Sequence, residues 1–323
     1  MISLTRKFLA CVAFVGSLGI GSFSASAQIN LGFSIEDPAG SYHAEMTQKF
    51  ADLAAEYSNN ELEITVYPGG QQGNARESIE GLLIGTVDMT KSLDTFAPIV
   101  RDVEVFGLPY LYRSREQFVK SLDLPEVRDL VQRLEDEGLV TVGWWENGFR
   151  HMTNNKHPIM VPTDLAGLKM RTPASVTRME MFKLLGANPA PLSFTEVFTA
   201  LQTGAFDGQE NPLQLVLSHK LYEVQKYLSL TRHVYNPQIV AISAIRWGQL
   251  SDTQKDAIRR AAEEIGNEYR ADGEKVDGQM LSELEGRIEI NEIDFPAFQE
   301  ALKPMYNSFP NQDLVNAILS TLE

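Results

Sequence analysis

The side chains best suited to bind a ligand lie between positions 150 and 178. This stretch holds one acid, Asp164, in a chain with a formal net charge of −15. Its five cations are Arg150, Lys156, Lys169, Arg171 and Arg178. Arg171 lies at the end of a predicted strand, where a guanidinium on rigid backbone can hold a carboxylate with two parallel hydrogen bonds. The stretch could form a carboxylate site; the alternative, which spacing alone does not exclude, is surface solvation or pairing with acids of the other lobe.

Most catalytic and cofactor motifs are absent from the sequence. There is no Walker loop, no GxGxxG and no HExxH, and the five histidines never show i, i+4 spacing. Residues 69–73 could bind an anion through backbone amides or simply form a turn. Glu36 with Asp37, and Asp102 with Glu104, could be general acids or bases, or solvated loop charges. We therefore expect no cofactor and no metal.

The N-terminus has the pattern of a secretory signal peptide. Arg6 and Lys7 precede an apolar run over residues 8–20, and Ala25 and Ala27 supply the small residues of a cleavage site before Gln28. A buried N-terminal helix is the alternative. Cleavage changes the net charge from −15 to −17, since two cations and no acid are lost, and it removes the only cysteine. We predict a periplasmic mature protein that begins at Gln28.

The length of the chain and its net charge restrict the possible classes of function further. The 323 residues, 43% of them hydrophobic, suffice for about two domains with their own cores. The excess of acids argues against general binding of nucleic acid or of anionic membranes, because both require a positive field.

A pattern of helix, glycine and strand occurs twice. Residues 77–88 align without a gap on residues 196–207, with a glycine after each predicted helix at Gly85 and Gly204. A strand, a helix and a second strand precede each copy, which makes two βαβαβ units with parallel strands. We predict an α/β fold of two such domains with a cleft between them.

A long helix follows in the C-terminal third. Ser251 with Gln254 forms a capping box, and apolar spacing continues for roughly 34 residues, about 50 Å, enough to cross both lobes. Gly266, Gly273 and Gly278 are places where this helix could bend. Residues 147–158 and 232–237 are the predicted crossovers. The first lobe then comprises residues 28–147 and 237–276, and the second residues 148–236 and 277–323.

In proteins with open parallel sheets, ligands bind at the carboxyl ends of the strands. These ends are predicted at residues 34–37, 67–74, 90–94, 171–175 and 208–211. Trp144 and Trp145 point to opposite faces of a strand beside the first crossover. One ring should be core, and we expect the other, assigned to Trp145, to wall the cleft.

The segment PLSFTEVFTALQTGAFDGQENP at residues 191–212 resembles a signature of the substrate-binding subunits of TRAP transporters, the tripartite ATP-independent periplasmic systems, of the dicarboxylate-binding type. The resemblance extends to YPGGQ at 67–71, VFGLPY at 105–110, DLAGLKMRT at 164–172 and YEVQKY at 222–227. It covers the mature chain in the right order. It implies two lobes joined by a hinge, a long helix spanning both, one small and one large membrane subunit as partners, and a monomer.

The resemblance also implies roles for individual residues. Arg171 would form the main salt bridge to a substrate carboxylate, Arg150 would be a second arginine near the crossover, and Asn211 would help to fix the carboxylate. The remaining contacts would be Phe194, as an aromatic packed on the substrate, and the first-lobe residues Ser34, Glu36 and Asn74.

These observations lead us to expect a solute-binding protein that closes around a small organic acid. The acid could be a C4-dicarboxylate or a uronic or aldonic acid, and the polar first-lobe loops favour a hydroxylated acid of sugar size. The alternatives are a secreted α/β enzyme that uses Glu36, Asp37 or His43 as base, a sensory binding module, and the binding component of an ATP-driven importer.

Overall fold

The computed structural model of the protein describes residues 28–321. The predicted signal peptide, residues 1–27, lies outside the described residues. Within residues 28–321 the strands are β1 (Ile29–Ser34), β2 (Leu62–Tyr67), β3 (Met89–Ser92), β4 (Leu139–Asn154), β5 (Lys169–Thr172), β6 (Asn188–Pro191), β7 (Gly208–Pro212), β8 (Tyr227–Ser243) and β9 (Glu289–Asn291). The helices are α1 (Tyr42–Tyr57), α2 (Ala75–Ile84), α3 (Arg115–Ser121), α4 (Pro125–Asp136), α5 (Val176–Leu184), α6 (Val197–Gln202), α7 (Leu213–Ser218), α8 (Ala244–Trp247), α9 (Asp252–Leu284), α10 (Phe295–Leu302), α11 (Pro304–Ser308) and α12 (Gln312–Ser320).

The predicted repeat is confirmed by the strand order. The sheet runs β2-β1-β3-β8-β4-β7-β5-β6, with β9 beside β8. In the first lobe β1 is parallel to β2 and β3, and in the second lobe β5 is parallel to β6 and β7. An antiparallel neighbour then follows in each lobe, β8 beside β3 and β4 beside β7. Each lobe is therefore the same α/β unit.

The glycine positions of the repeat explain its helix ends. Gly85 follows α2 and Gly204 follows α6, both with φ of 75°, in the left-handed region that glycine adopts without a Cβ clash. Each turn leads directly toward the strand that ends at the cleft. The prediction of helix, glycine and strand is therefore confirmed in both lobes.

The two lobes are connected by long strands. β4 has 16 residues and β8 has 17, and they pair antiparallel over most of their length with register shifts that include one between Glu146 and Gly148. The predicted crossover at 232–237 lies within β8, and the one at 147–158 begins within β4 and continues past its end. The predicted lobe boundaries after residues 147 and 236 fall in the middle of these strands, and the one after residue 276 falls within α9.

Helix α9 runs across both lobes. It has 33 residues, and Ser251 and Gln254 form the predicted capping box at its N-terminus. Its first half packs Ile258 and Ile265 into the core formed with β1 and α1. Its last turn places Leu284 in the second-lobe cluster that contains Val197 and Val216. The predicted long helix is confirmed.

Two glycines of α9 differ sharply in their surroundings. A Cβ on Gly266 would lie 2.5 Å from the carbonyl oxygen of Trp144, whereas a Cβ on Gly278 would meet nothing within 4 Å. Gly266 therefore allows the helix to approach β4 closely, a role different from the bend suggested by the sequence.

We predict that Gly266→Ala lowers the free energy of unfolding by about 1–3 kcal/mol, because the backbone of β4 must shift. Gly278→Ala is the matched control, and it should be neutral or stabilising by up to about 1 kcal/mol, since alanine favours the helix. Urea unfolding of both variants measures the difference. Equal changes in the two variants would show that the close contact between Gly266 and β4 does not contribute to stability.

Candidate functional site

A cavity lies between the two lobes. Its volume is about 360 Å³, within the usual size of small-molecule sites. It is formed by the carboxyl ends of the parallel strands, the start of α2, and the middle of β4 and β8. The predicted position of the cleft therefore agrees with the structure.

Seven of the eight predicted site residues line this cavity. They are Arg171, Arg150, Asn211, Phe194, Asn74, Glu36 and Ser34. The first four come from the second lobe and the others from the first, so a bound molecule would touch both lobes. Their roles toward a ligand stay predictions.

Trp145 lies elsewhere. Its side chain is fully buried in the first-lobe core, stacks on Phe33 and donates a hydrogen bond of 2.9 Å to the carbonyl of Ala262 in α9. The expectation that this ring walls the cleft is thus not met. Helices cover both faces of the sheet here, so an indole on either face can be core.

Arg171 is a buried cation that forms no ion pair with a carboxylate of residues 28–321. It is 3% exposed, and its Nε and Nη2 both donate to the carbonyl of Leu192, at 2.9 and 2.6 Å. Within residues 28–321 its Nη1 has no hydrogen-bond partner. The ring of Phe194 lies 5.6 Å from the guanidinium carbon. Burial lowers the pKa of Arg171 to about 10, so the group is still charged at neutral pH. A desolvated charge of this kind favours an anionic ligand.

Arg150, in contrast, is already paired. It binds the carboxylate of Glu210 through Nε and, at 2.8 Å, through Nη2, and it donates to the side-chain oxygens of Asn211 and Asn236. Arg178 approaches Glu210 to 3.7 Å and His233 contacts it at 3.1 Å. Arg150 therefore fixes Asn211 at the cavity wall and has little charge left for a ligand.

Glu210 does not line the cavity but pairs with Arg150, which does, and the sequence did not single it out. It is fully buried, and burial raises its pKa, but Arg150 and Arg178 outweigh this and hold the pKa well below its usual range. A buried acid requires a cationic partner. The position of Glu210 in the middle of the short buried strand β7 is therefore the sequence feature that could have identified it.

A second buried ion pair lies on the first-lobe wall. Lys91 donates to Asp37 at 2.7 Å and to Gln238 at 3.1 Å, and all three residues line the cavity. Burial raises the pKa of Asp37, but Lys91 outweighs it and lowers the pKa to about 2. Both ions occupy predicted strand ends, yet the sequence does not show that they pair.

A chain of hydrogen bonds links the lobes beneath the cavity. Tyr269 of α9 donates to Nδ1 of His43 at 2.9 Å, and Nε2 of His43 donates to the side-chain oxygen of Asn147 at 3.0 Å. Asn147 donates in turn to Asn236 at 2.9 Å, and Asn236 also accepts from Arg150. The middle of β4 and β8 is thus joined to both α9 and the second lobe.

His43 makes stability depend on pH. Burial lowers the pKa of His43 from 6.5 to about 4. The unfolded chain binds a proton between these values that the folded chain excludes, so this contribution is complete above pH 6.5 and is lost as the pH falls toward 4.

We expect the free energy of unfolding to fall by about 2 kcal/mol more in the wild type than in His43→Gln between pH 7 and 5. His157→Gln, at an exposed histidine, should retain the wild-type slope. Urea unfolding at constant ionic strength measures both. Identical slopes for the wild type and His43→Gln would refute the assignment.

Two other kinds of functional feature have no candidate in this part of the chain. Among residues 28–321, no group of three or more His, Cys, Asp or Glu side chains is placed to hold a metal ion. None of the helices in the same range has the length and apolar character required to cross a membrane.

The comparisons with known proteins identify the family. Residues 33–313 match the DctP family, described as bacterial extracellular solute-binding protein, family 7. The chain therefore belongs to this family of solute-binding proteins, and the expected resemblance is confirmed.

Individual relatives match over nearly the whole chain. The 2,3-diketo-L-gulonate-binding periplasmic protein YiaO of Escherichia coli K12 is 37% identical over 295 residues, 90% of this chain and 89% of that protein. A TRAP periplasmic solute-binding protein from Bordetella, with density assigned to pantoate, superimposes with a TM-score of 0.86 at 34% identity, covering 91% and 99% of the two chains. The sugar acid-binding protein DctPAm of Advenella mimigardefordensis, in complex with galactonate, has a TM-score of 0.87 at 31% identity, covering 91% and 98%.

Proposed function

We propose that this protein captures a small organic acid in the cavity between its lobes and delivers it to the membrane subunits of a TRAP transporter. The observation that carries the proposal is Arg171, a buried guanidinium that faces the cavity without a carboxylate partner within residues 28–321. A ligand carboxylate would supply the missing charge, with Asn211 as a neighbouring hydrogen-bond donor.

Capture would require closure of the lobes. Arg171 and Asn211 lie on the second-lobe wall, and Ser34, Glu36 and Asn74 lie on the first. A ligand contacts both sets only when the lobes are close, which is the difference in affinity that closure needs. β4 and β8 are the segments where the bending would occur, because they connect the lobes.

The ligands of relatives support a carboxylate. They include 2,3-diketo-L-gulonate, pantoate and galactonate, and two other solved TRAP proteins bind D-erythronate and succinate. Acids of this size suit a cavity of about 360 Å³.

The test is a thermal-shift screen of residues 28–323 against about 100 organic acids, each with a neutral analogue where one exists. A ligand at 100 times its dissociation constant adds about 2.7 kcal/mol, which raises the melting temperature by several degrees. We expect only acids to raise it. Protein unfolded and refolded before the screen serves as the control for a ligand retained from purification. A panel in which no acid acts on refolded protein would refute the proposal.

The proposal assigns no catalytic step to this protein. NMR of the bound acid after long incubation should show the ligand unchanged, whereas turnover would favour the alternative of a secreted enzyme.

The protein is proposed to act as a periplasmic monomer that begins at Gln28. Light scattering and the N-terminal sequence of the exported protein test these two points.

A further inference from the structure

The charges that line the cavity are almost all neutralised by the protein itself. The lining side chains with charge are the cations Arg76, Lys91, Arg150 and Arg171 and the acids Glu36, Asp37 and Asp94. Five of these seven have a partner: the pairs are Lys91–Asp37 at 2.7 Å, Arg150–Glu210, Arg178–Asp94 at 3.8 Å and Arg76–Glu80 at 2.8 Å. Among the described residues, Arg171 and Glu36 remain without an ion pair.

These two unpaired groups come from opposite walls. Arg171 ends β5 of the second lobe, and Glu36 lies in the loop after β1 of the first lobe. The second-lobe wall of the cavity therefore attracts a carboxylate, while the first-lobe wall presents an acid.

Glu36 and Ala75 both line the first-lobe wall of the cavity. Burial raises its pKa, and the backbone N–H of Ala75 opposes this by interacting with the carboxylate. Ala75 is the first residue of α2, a helix of ten residues whose N-terminus favours negative charge. Because Glu36 lies on this wall without an ion pair, a ligand carboxylate placed against the first lobe would meet like charge.

Lys91 offers no alternative for a second carboxylate. Its side chain is 2% exposed, and its ammonium donates to Asp37 and Gln238. Withdrawing Lys91 from this pair would leave Asp37 buried and unpaired, which is strongly unfavourable.

We propose that the ligand carries a single carboxylate, bound at Arg171, and hydroxyl groups at its other end. Glu36 accepts hydrogen bonds from these hydroxyl groups and repels a second carboxylate. This inference rests on the proposed function and narrows its substrate class to monoanionic polyhydroxy acids. Glu36 is the residue that sets this specificity.

Matched acids test the proposal. Galactonate and galactarate have the same carbon chain and the same internal hydroxyls, and they differ only in one end, CH2OH or carboxylate; erythronate and meso-tartrate form the corresponding four-carbon pair. Calorimetric titration at pH 7.5 compares the wild type, Glu36→Gln and Glu63→Gln. Glu63→Gln removes a charge from an exposed position of the same lobe that does not line the cavity.

In at least one pair, we expect the wild type to bind the monocarboxylate about tenfold or more tightly than the dicarboxylate. Glu36→Gln should reduce this preference about tenfold, chiefly by strengthening binding of the dicarboxylate, and Glu63→Gln should leave it unchanged. If Glu36→Gln does not fold, as judged by its melting curve, the wild-type preference alone decides the substrate class.

Equal binding of the monocarboxylate and the dicarboxylate by the wild type in both pairs would overturn the proposal. If Arg171→Ala then abolished binding of both, capture of organic acids would still stand. An unchanged preference in folded Glu36→Gln would overturn the role of Glu36. Failure of the entire acid panel would overturn the proposed function and this inference together.

Discussion

Replacing Arg171 with alanine is expected to weaken binding of the organic acid by about 30-fold to several thousand-fold, equivalent to about 2–5 kcal/mol. The guanidinium is buried, and both of its observed bonds go to one carbonyl, that of Leu192. Without it, a bound carboxylate would be desolvated and unpaired. Calorimetric titration with the best acid from the screen measures the loss.

Two further variants make this result specific. Arg171→Lys keeps the charge but loses the planar fork of donors, so its affinity should lie between those of the wild type and the alanine variant. Arg76→Ala removes another cation that lines the cavity, but one that is exposed and paired with Glu80, so its affinity should stay within about threefold of the wild type. Binding by Arg171→Ala within the same threefold range would contradict the assignment.

Glu210→Gln is expected to produce the largest loss of stability, about 3–5 kcal/mol in the free energy of unfolding. The carboxylate of Glu210 is fully buried and neutralises Arg150, with Arg178 at 3.7 Å and His233 at 3.1 Å. An amide at this position has the same shape but leaves buried cations without a counter-charge.

Urea unfolding measures the loss, and Glu196→Gln is the matched control. Glu196 is an exposed acid of the same lobe, so its variant should lie within about 0.5 kcal/mol of the wild type. A loss below about 1 kcal/mol in Glu210→Gln would show that the Arg150–Glu210 pair contributes little to the fold.

Local sequence signals predicted most of the architecture. The glycine after each repeated helix, the capping box of Ser251 with Gln254, and the apolar spacing of α9 are all properties of neighbouring residues, and each appears in the structure. The parallel strands then place their carboxyl ends at one cleft, which is why Arg171 and Asn211 could be expected to lie together.

Non-local pairing accounts for what the sequence did not reveal. Nothing near Lys91 in the chain indicates Asp37 as its partner, 54 residues away, and nothing near Arg150 indicates Glu210. The face that Trp145 occupies could not be chosen for a similar reason, because helices cover both faces of the sheet and alternation alone does not identify the cavity. The polar positions at the middle of β4 and β8 were interpreted as crossovers, whereas Asn147 and Asn236 also line the cavity.

The most direct test of the account is a crystal structure of the protein with the acid that gives the largest thermal shift. We predict that the ligand lies between the lobes, with its carboxylate within hydrogen-bond distance of Arg171 and Asn211 and its other end against Glu36 and Asn74. A ligand bound outside this cavity, or one whose carboxylate contacts the first-lobe wall instead of Arg171, would contradict the central claim.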